Sequence, residues 1–248
     1  MQYQALAPIY DRLMDHVNYN EWSTLIEKVV DKYSAVERPL VFELGAGTGK
    51  LGELLKQKGF NYTGSDLSFD MCRVAVEKRS LPLLCCDARN LAVKERFDLA
   101  VFLYDGINYL HSKHDYLTLF NQVNTILSPG GLFLFDITTA TNSKRYFKEY
   151  TDFEDHGDFS FVRHSYFNSL SSVQYNDFTI FQNSTTDPQL FKKFTEQHKQ
   201  KILPVTTVEK MIPATLFDIL GIFDSYSFNR YNTRSERVHF LLRKRNLS

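Results

Sequence analysis

No charge of one sign is in excess: 29 Lys plus Arg are matched by 29 Asp plus Glu. The chain therefore lacks the one-signed field that drives non-specific association with nucleic acid or an anionic membrane, and a small or neutral partner is favoured. Cysteine is scarce. Cys72, Cys85 and Cys86 form no CxxC pair and have no histidine nearby at metal-ligand spacing, so neither a zinc site nor a disulfide framework is suggested. The last two close the apolar run LPLLCC, where they read as small buried hydrophobes. Long hydrophobic runs are missing as well. Asp11, Arg12 and Asp15 interrupt any apolar stretch near the amino terminus, which argues against a signal peptide, and no later run has the length to cross a bilayer. The default expectation is a cytoplasmic chain with no membrane partner. Repeats and low-complexity linkers are also absent, and with 43% hydrophobic residues in 248 the expectation is one domain over 1–248.

What is present is an alternation of buried strands and amphipathic helices. EWSTLIEKVVDKY puts Trp22, Leu25, Ile26, Val29 and Val30 on one helical face, within a leading helical stretch over 1–35. LVFEL then reads as a strand, GAGTGK as a tight loop and LGELLKQKG as a helix stopped by Gly59. The pattern repeats: FNYTGSD, LPLLCCD, FDLAVFLYD and GGLFLFDI read as strands, and SFDMCRVAVEKR and HDYLTLFNQVNTIL as helices, the first capped by Ser68. Strands that are apolar throughout predict a doubly wound α/β fold, a seven-stranded and mostly parallel sheet covered on both faces. Between 142 and 203 the texture changes to short aromatic and β-branched runs, an expected antiparallel β insertion after the fifth strand. A helix is expected over TTVEKMIPATLFDILG, then strands around DSYSFNRY and ERVHFLLRK.

The segment ELGAGTGK, Glu43 to Lys50, carries the chemistry. Gly45, Gly47 and Gly49 lie between a buried strand and a helix, where a small residue lets the backbone approach a ligand closely. The GxGxG spacing lacks the last glycine of the dinucleotide fingerprint, and no GxxxxGK[ST] phosphate loop is present, so a dinucleotide or a nucleoside triphosphate is disfavoured. Asp66, at the end of the second strand, is placed for ribose hydroxyls; its alternative reading is a carboxylate answering the dipole of the next helix. Asp87 ends the third strand and Asp105 follows the fourth. Carboxyl ends of neighbouring strands converge on one crevice, so Glu43, Asp66, Asp87 and Asp105 are expected to line one cleft, a set that suits a cationic ligand such as an ammonium or a sulfonium.

The run ELGAGTGKLGELLKQKGFNYTGSDLSFDMCRVA, with CCDARNL, FDLAVFLYDGINYL and LSPGGLFLFDI after it, resembles the motifs of class I S-adenosylmethionine-dependent methyltransferases. YQALAPIYDRLMDHVNYNEW, FTEQHKQKIL and SERVHFLLRK resemble a bacterial small-molecule subgroup of that family with an antiparallel insertion. The resemblance implies S-adenosylmethionine as cofactor. Gly45, Gly47 and Gly49 would border its methionine part, Asp66 its ribose, and Asp87, Ala88 and Met71 its adenine, with Leu67 also among the residues that bind it. Glu43 would orient the loop and the amino group, Leu103 and Tyr104 would touch the methionine end, and Tyr10 and Trp22 would sit over the cofactor. Trp22 reads equally as a core anchor on an apolar helix face.

The acceptor side is less determined. Tyr109, His111 and His114 follow the fourth strand in GINYLHSKH, and a tyrosine or histidine there could take a proton from an acceptor, although the two histidines also read as a solvated helix entrance. His198 matches a recurring histidine of the subgroup and could face the acceptor, or be a polar residue of an antiparallel strand. Tyr109 and His198 are the candidate catalytic pair. Tyr3 and Tyr10 could belong to a lid. Methyl transfer from a sulfonium is an in-line displacement that chiefly needs alignment and exclusion of water, so a base is optional and no metal is required. No [DN]PP[YFW] follows the fourth strand, which reads YDGI, and no Pro-Cys nucleophile occurs. Three readings stay open: methylation of nitrogen or oxygen in a small molecule, methylation of RNA or protein, for which no basic aromatic-rich patch speaks, and a non-catalytic binding module. Exposed aromatics of the insertion suit a homodimer surface or a pocket roof alike.

Overall fold

The structure, a computed structural model, describes residues 3–184, 187 and 190–246. The apolar runs pair in parallel. β1 (Leu40–Leu44) lies between β2 (Asn61–Asp66) and β4 (Phe97–Phe102), with β3 (Leu83–Cys85) outside β2 and β5 (Leu127–Thr138) outside β4. β11 (Arg237–Lys244) runs antiparallel to β5, and β10 (Phe217–Asp224) antiparallel to β11, giving the seven-stranded order β10-β11-β5-β4-β1-β2-β3. One face packs α5 (Lys113–Ile126) through Phe42, Phe120, Phe133 and Phe135. The other packs α2 (Tyr19–Tyr33) and α3 (Lys50–Gln57) through Trp22, Ile26, Val29, Val41 and Leu55. Both faces of the central strands are covered, which is why they show no polar alternation. Ser68 caps α4 (Phe69–Arg79) by accepting from the Met71 amide, and Ser112 with Asp115 forms a capping box on α5.

A second sheet of β6 (Glu149–Asp155), β7 (Phe159–Asn168), β8 (Val173–Asn183) and β9 (Phe191–Lys201) is antiparallel throughout, in chain order. Its apolar side, Phe159, Phe161, Phe178 and Ile180, closes on Leu6, Ile9, Leu13 and Met14 of the N-terminal segment, which contains the single-turn helix α1 (Tyr10–Leu13). The strands begin later than the change of sequence texture at 142. Residues up to 146 continue the helix α6 (Ala140–Tyr146), because the Thr139 side chain accepts from the Asn142 amide and so caps it. The helix expected over TTVEKMIPATLFDILG is also shorter. α7 (Val205–Met211) stops before Pro213, and FDILG enters β10, paired to β11 from Phe217 onward. The segment DSYSFNRY, expected as a strand, instead turns the chain between β10 and β11, with one bridge from Phe223 to Arg230.

The two sheets are joined at a buried ion cluster. Tyr104 and Asp105, just beyond β4, both have left-handed backbones, φ 60° and 53°, a conformation that costs about 1–3 kcal/mol in a residue with a side chain unless its surroundings over-determine it. Here they do. The Asp105 amide donates to Asp136 Oδ1 at 3.0 Å, Arg237 donates to both Asp105 and Asp136, and Gln200 of β9 donates to the remaining Asp105 oxygen. Burial raises the pKa of Asp136 against the pull of Arg237. Removing the guanidinium would strand two carboxylates in a dry site. Arg237→Ala is therefore expected to lower unfolding stability by about 3–5 kcal/mol in chemical denaturation, whereas a change within about 0.5 kcal/mol would mean the cluster is not holding the sheets together.

Candidate active site

A cleft of about 860 Å³ opens at the carboxyl ends of β1 to β4. Its floor is the glycine loop. Gly45 and Gly47 have φ of 63° and 57°, which favours glycine at both; a Cβ on Gly45 would also come within 2.8 Å of the Phe102 ring, whereas one on Gly47 would meet only open space. The Asp66 carboxylate faces the same space. Its Oδ2 accepts from the Gly47 amide and its Oδ1 from the Ser68 amide, each at 2.8 Å. Burial raises its pKa, opposed by those amide donors. Each oxygen keeps a further lone-pair direction for a ligand hydroxyl. Glu43 is more deeply placed, with its Oε2 accepting the Tyr62 hydroxyl at 2.5 Å. Burial pushes its carboxyl up to about 8, against the lowering effect of that hydrogen bond.

Most of the residues expected at the site are brought together. Tyr10, Trp22, Glu43, Gly45, Gly47, Asp66, Leu67, Met71, Asp87, Ala88, Leu103, Tyr104 and Tyr109 all line the cleft. Gly49 does not. It caps α3 with φ 82°, and a Cβ there would meet Leu81 at 2.5 Å, so its glycine serves helix–strand packing. His198 is likewise outside this cleft and lines an adjoining cavity. His111 reaches the cleft rim, its Nε2 3.1 Å from the Lys199 carbonyl, while His114 is exposed and lines no part of it. The expectation that Glu43, Asp66, Asp87 and Asp105 line one cleft needs correction, because Asp105 lines the adjoining cavity instead. Asp105 turns away to Arg237, and Asp87 is held by the Arg89 side chain, which also reaches Asp115. The negative charge facing the cleft is thus carried chiefly by Asp66, with Glu43 protonated through much of the neutral range.

The adjoining cavity measures about 170 Å³ and shares Tyr3, Tyr10, Tyr104 and Tyr109 with the cleft, so these four rings form the partition between them. Its other wall is the inserted sheet, with Asn176, Phe178, His198 and Gln200. The Tyr109 hydroxyl stands 3.4 Å from His198 Nδ1 and 2.6 Å from the Tyr3 hydroxyl. Burial raises the pKa of Tyr109, in part offset by the bond from Tyr3. The segment that carries Tyr3 and Tyr10 is fastened just beyond Tyr10 both to the main fold and to the insertion. Asp11 accepts from Thr48 and Arg79, and Arg12 makes two bonds to Asp158 of the insertion. Asp11, Glu196 and Gln200 were not singled out among the candidate residues. Alternation alone could have marked Glu196 and Gln200, which flank His198 at two-residue spacing on one face of β9.

A methyltransferase-domain family matches residues 41–131. Over the whole length, a protein of Bacillus subtilis (strain 168) named "Putative methyltransferase YqeM" is 30% identical, covering 98% of both chains. The chain belongs to the class I S-adenosylmethionine-dependent methyltransferase family. A solved S-adenosylmethionine-dependent methyltransferase from Clostridium acetobutylicum ATCC 824 is 27% identical, with a TM-score of 0.80 over 98% of this chain and 99% of that one. The sugar N-methyltransferase KedS8 from Streptoalloteichus sp ATCC 53650, 16% identical, shares the fold with a TM-score of 0.76 over 96% of this chain and 93% of its own. The residues of this methyltransferase fit the family's cofactor: the left-handed glycine loop, the half-buried Asp66 carboxylate with free acceptor directions and a cleft of about 860 Å³ suit a nucleoside joined to an amino acid.

The raised pKa of Glu43 has a measurable consequence. The folded state binds this proton more tightly than the unfolded chain does, so the stabilising term is complete below the ordinary glutamate range and is lost as pH rises through about 8. Wild-type stability is expected to fall across that window with a slope of up to about 1.4 kcal/mol per pH unit, and Glu43→Gln to flatten it. Denaturant midpoints at several pH values check this, and equal slopes for the two proteins would refute it.

Proposed function

We propose that this methyltransferase methylates a nitrogen or an oxygen of a small molecule held in the cavity beyond the tyrosine partition. The observation that carries the reading is that cavity itself, about 170 Å³, walled by the inserted sheet and adjoining the cofactor cleft at Tyr3, Tyr10, Tyr104 and Tyr109. Such a volume suits roughly one ring. The composition carries no net positive charge that would favour RNA. Amide side chains in the wall, Asn142, Gln174, Asn176 and Gln200, suit a hydroxylated acceptor such as an amino sugar.

Asp66 would hold the ribose, Met71, Ala88 and Leu67 would contact the nucleoside, and Gly45 and Gly47 would border the methionine part, with Leu103 and Tyr104 at its far end. Asp87, already occupied by Arg89, would shape the adenine edge. Tyr10 and Trp22 would cover the cleft. When bound, S-adenosylmethionine supplies an electrophilic methyl carbon. The chain's own residues align the acceptor and exclude water: Tyr3 and Tyr10, on the N-terminal lid, close the partition from above. For a hydroxyl acceptor the O–H bond must break as the O–C bond forms. The Tyr109 hydroxyl takes that proton while passing its own to His198 Nδ1. A neutral amine attacks with its lone pair and sheds its extra proton afterwards along the same two groups. We read 1–248 as one methyltransferase domain, with an N-terminal lid and the inserted sheet as its acceptor-side subdomain.

Incubation with methyl-labelled S-adenosylmethionine and cell extract, fractionated into small molecules, RNA and protein, tests the acceptor class. Label is expected in the small-molecule fraction and is expected to disappear with His198→Ala plus Tyr109→Phe. Label confined to RNA or protein would overturn the reading.

A further inference from the structure

Glu196 precedes His198 by two residues on β9, so both side chains share the strand face turned towards the N-terminal segment. Its side chain is only 7% exposed, and its hydrogen-bond partners come from the other end of the chain. Oε2 accepts from the Tyr3 amide at 2.8 Å, and Oε1 accepts from the Ala5 amide at 2.5 Å and the Leu6 amide at 3.2 Å. The carboxylate also reaches the catalytic candidate. His198 Nε2 lies 3.3 Å from Oε2, short of full hydrogen-bond alignment, with the imidazole's other nitrogen towards the Tyr109 hydroxyl. Burial works to raise the Glu196 pKa, but the imidazole and the amides of Ala5 and Leu6 outweigh it and hold it below the ordinary glutamate value.

We propose that Glu196 is a positioning residue of the acceptor site: one carboxylate fastens the N-terminal segment over the cleft and orients the His198 imidazole so that Nε2 carries its hydrogen and Nδ1 offers a lone pair to Tyr109. The role given to His198 and Tyr109 rests on the function proposed above. Three features of the geometry support the assignment. Tyr3 is held twice, through its amide by Glu196 and through its hydroxyl by Tyr109, and its ring centroid stands 4.4 Å from that of His198. A base flanked by an orienting carboxylate on one nitrogen and a hydroxyl on the other is the arrangement that activates a hydroxyl for proton transfer. A charged acceptor of several amide N–H groups also binds them more strongly than a neutral one does.

The proton then balances along the chain of groups. The acceptor O–H breaks, its proton joins Tyr109 as the Tyr109 proton moves to Nδ1, and the resulting imidazolium faces the ionised Glu196. The other groups around His198 are engaged elsewhere or remain neutral. Tyr3 and Tyr109 are buried phenols with raised pKa. On the same cavity wall, Arg163 is held by Asp152 and Asp105 by Arg237, while Arg237 itself also holds Asp136; His16 lines the cavity as well. Because Glu196 serves both tasks, lifting the N-terminal segment would strip the carboxylate of its amides at the moment the cleft opens. Closure and correct orientation of the base are thereby linked.

Amide hydrogen exchange and long-range proton–nitrogen NMR of the imidazoles, applied to the full chain and to Glu196→Leu and Glu196→Gln, test this without an acceptor in hand. In Glu196→Leu the amides of Tyr3, Ala5 and Leu6 are expected to exchange at least about tenfold faster, with protection in the seven-stranded sheet unchanged. His198 is expected to lose its preference for the Nε2–H tautomer in alkaline buffer. Glu196→Gln keeps an oxygen acceptor and should restore much of both, and it serves as the readable variant if the leucine protein does not fold. Unchanged exchange at all three amides, or an unchanged tautomer, in a folded variant would overturn the proposal. S-adenosylhomocysteine binding in the same samples separates the two readings. Failure of the wild type to bind it would remove the proposed function and leave the exchange and tautomer results to judge Glu196 alone.

Discussion

Much of this molecule hangs on a single arginine. The Arg237 guanidinium enters a pocket between Asp105 and Asp136, and these ion pairs hold Tyr104 and Asp105 in two consecutive left-handed backbones. The strain has a location and a use. It turns the chain sharply after β4, so Tyr104 projects into the cleft, stacks near Tyr19 with centroids 6.3 Å apart, and lies 4.9 Å under the same guanidinium. Gln200 then fixes the inserted sheet to Asp105. One buried cluster therefore sets the sharp turn of the main sheet, the tyrosine partition and the position of the acceptor wall.

From that point the division of labour follows. The carboxyl ends of the parallel strands offer backbone, the half-buried Asp66 carboxylate and the buried Glu43, a surface able to read a nucleoside and tolerate a positive charge. The inserted sheet offers amides, an imidazole and Glu196, a surface able to read a polar ring and accept a proton. The N-terminal segment is neither. It is a strip fastened to both, by Asp11 to the first and by Glu196 and Arg12 to the second, and it carries the two tyrosines that face both cavities.

The cofactor half was legible because its signals are local. Gly45, Gly47 and Asp66 lie within one strand–loop–helix–strand stretch, and a glycine with positive φ beside a buried strand leaves a readable spacing. The acceptor half was not, because its contacts span the chain: Glu196 meets Tyr3 across 193 residues and Arg237 meets Asp105 across 132. No spacing rule reaches that far. The same blindness produced the error at Asp105, whose arginine lies 132 residues away, whereas Arg89, two residues beyond Asp87, was within reach of the linear pattern. LFDILG shows a different limit. Its apolar residues fit a helical and a strand period equally, and the vacant edge of β11 decided for the strand.

The central claim is that the cleft above the glycine loop holds S-adenosylmethionine. The chain has one tryptophan, Trp22, 1% exposed and on the wall of that cleft, so its fluorescence reports the site without a label. Titration with S-adenosylhomocysteine is predicted to change the emission saturably, with S-adenosylmethionine competing, NAD inert and Asp66→Ala abolishing the response. A flat titration of the folded wild-type protein, or a response to NAD alone, would contradict the account.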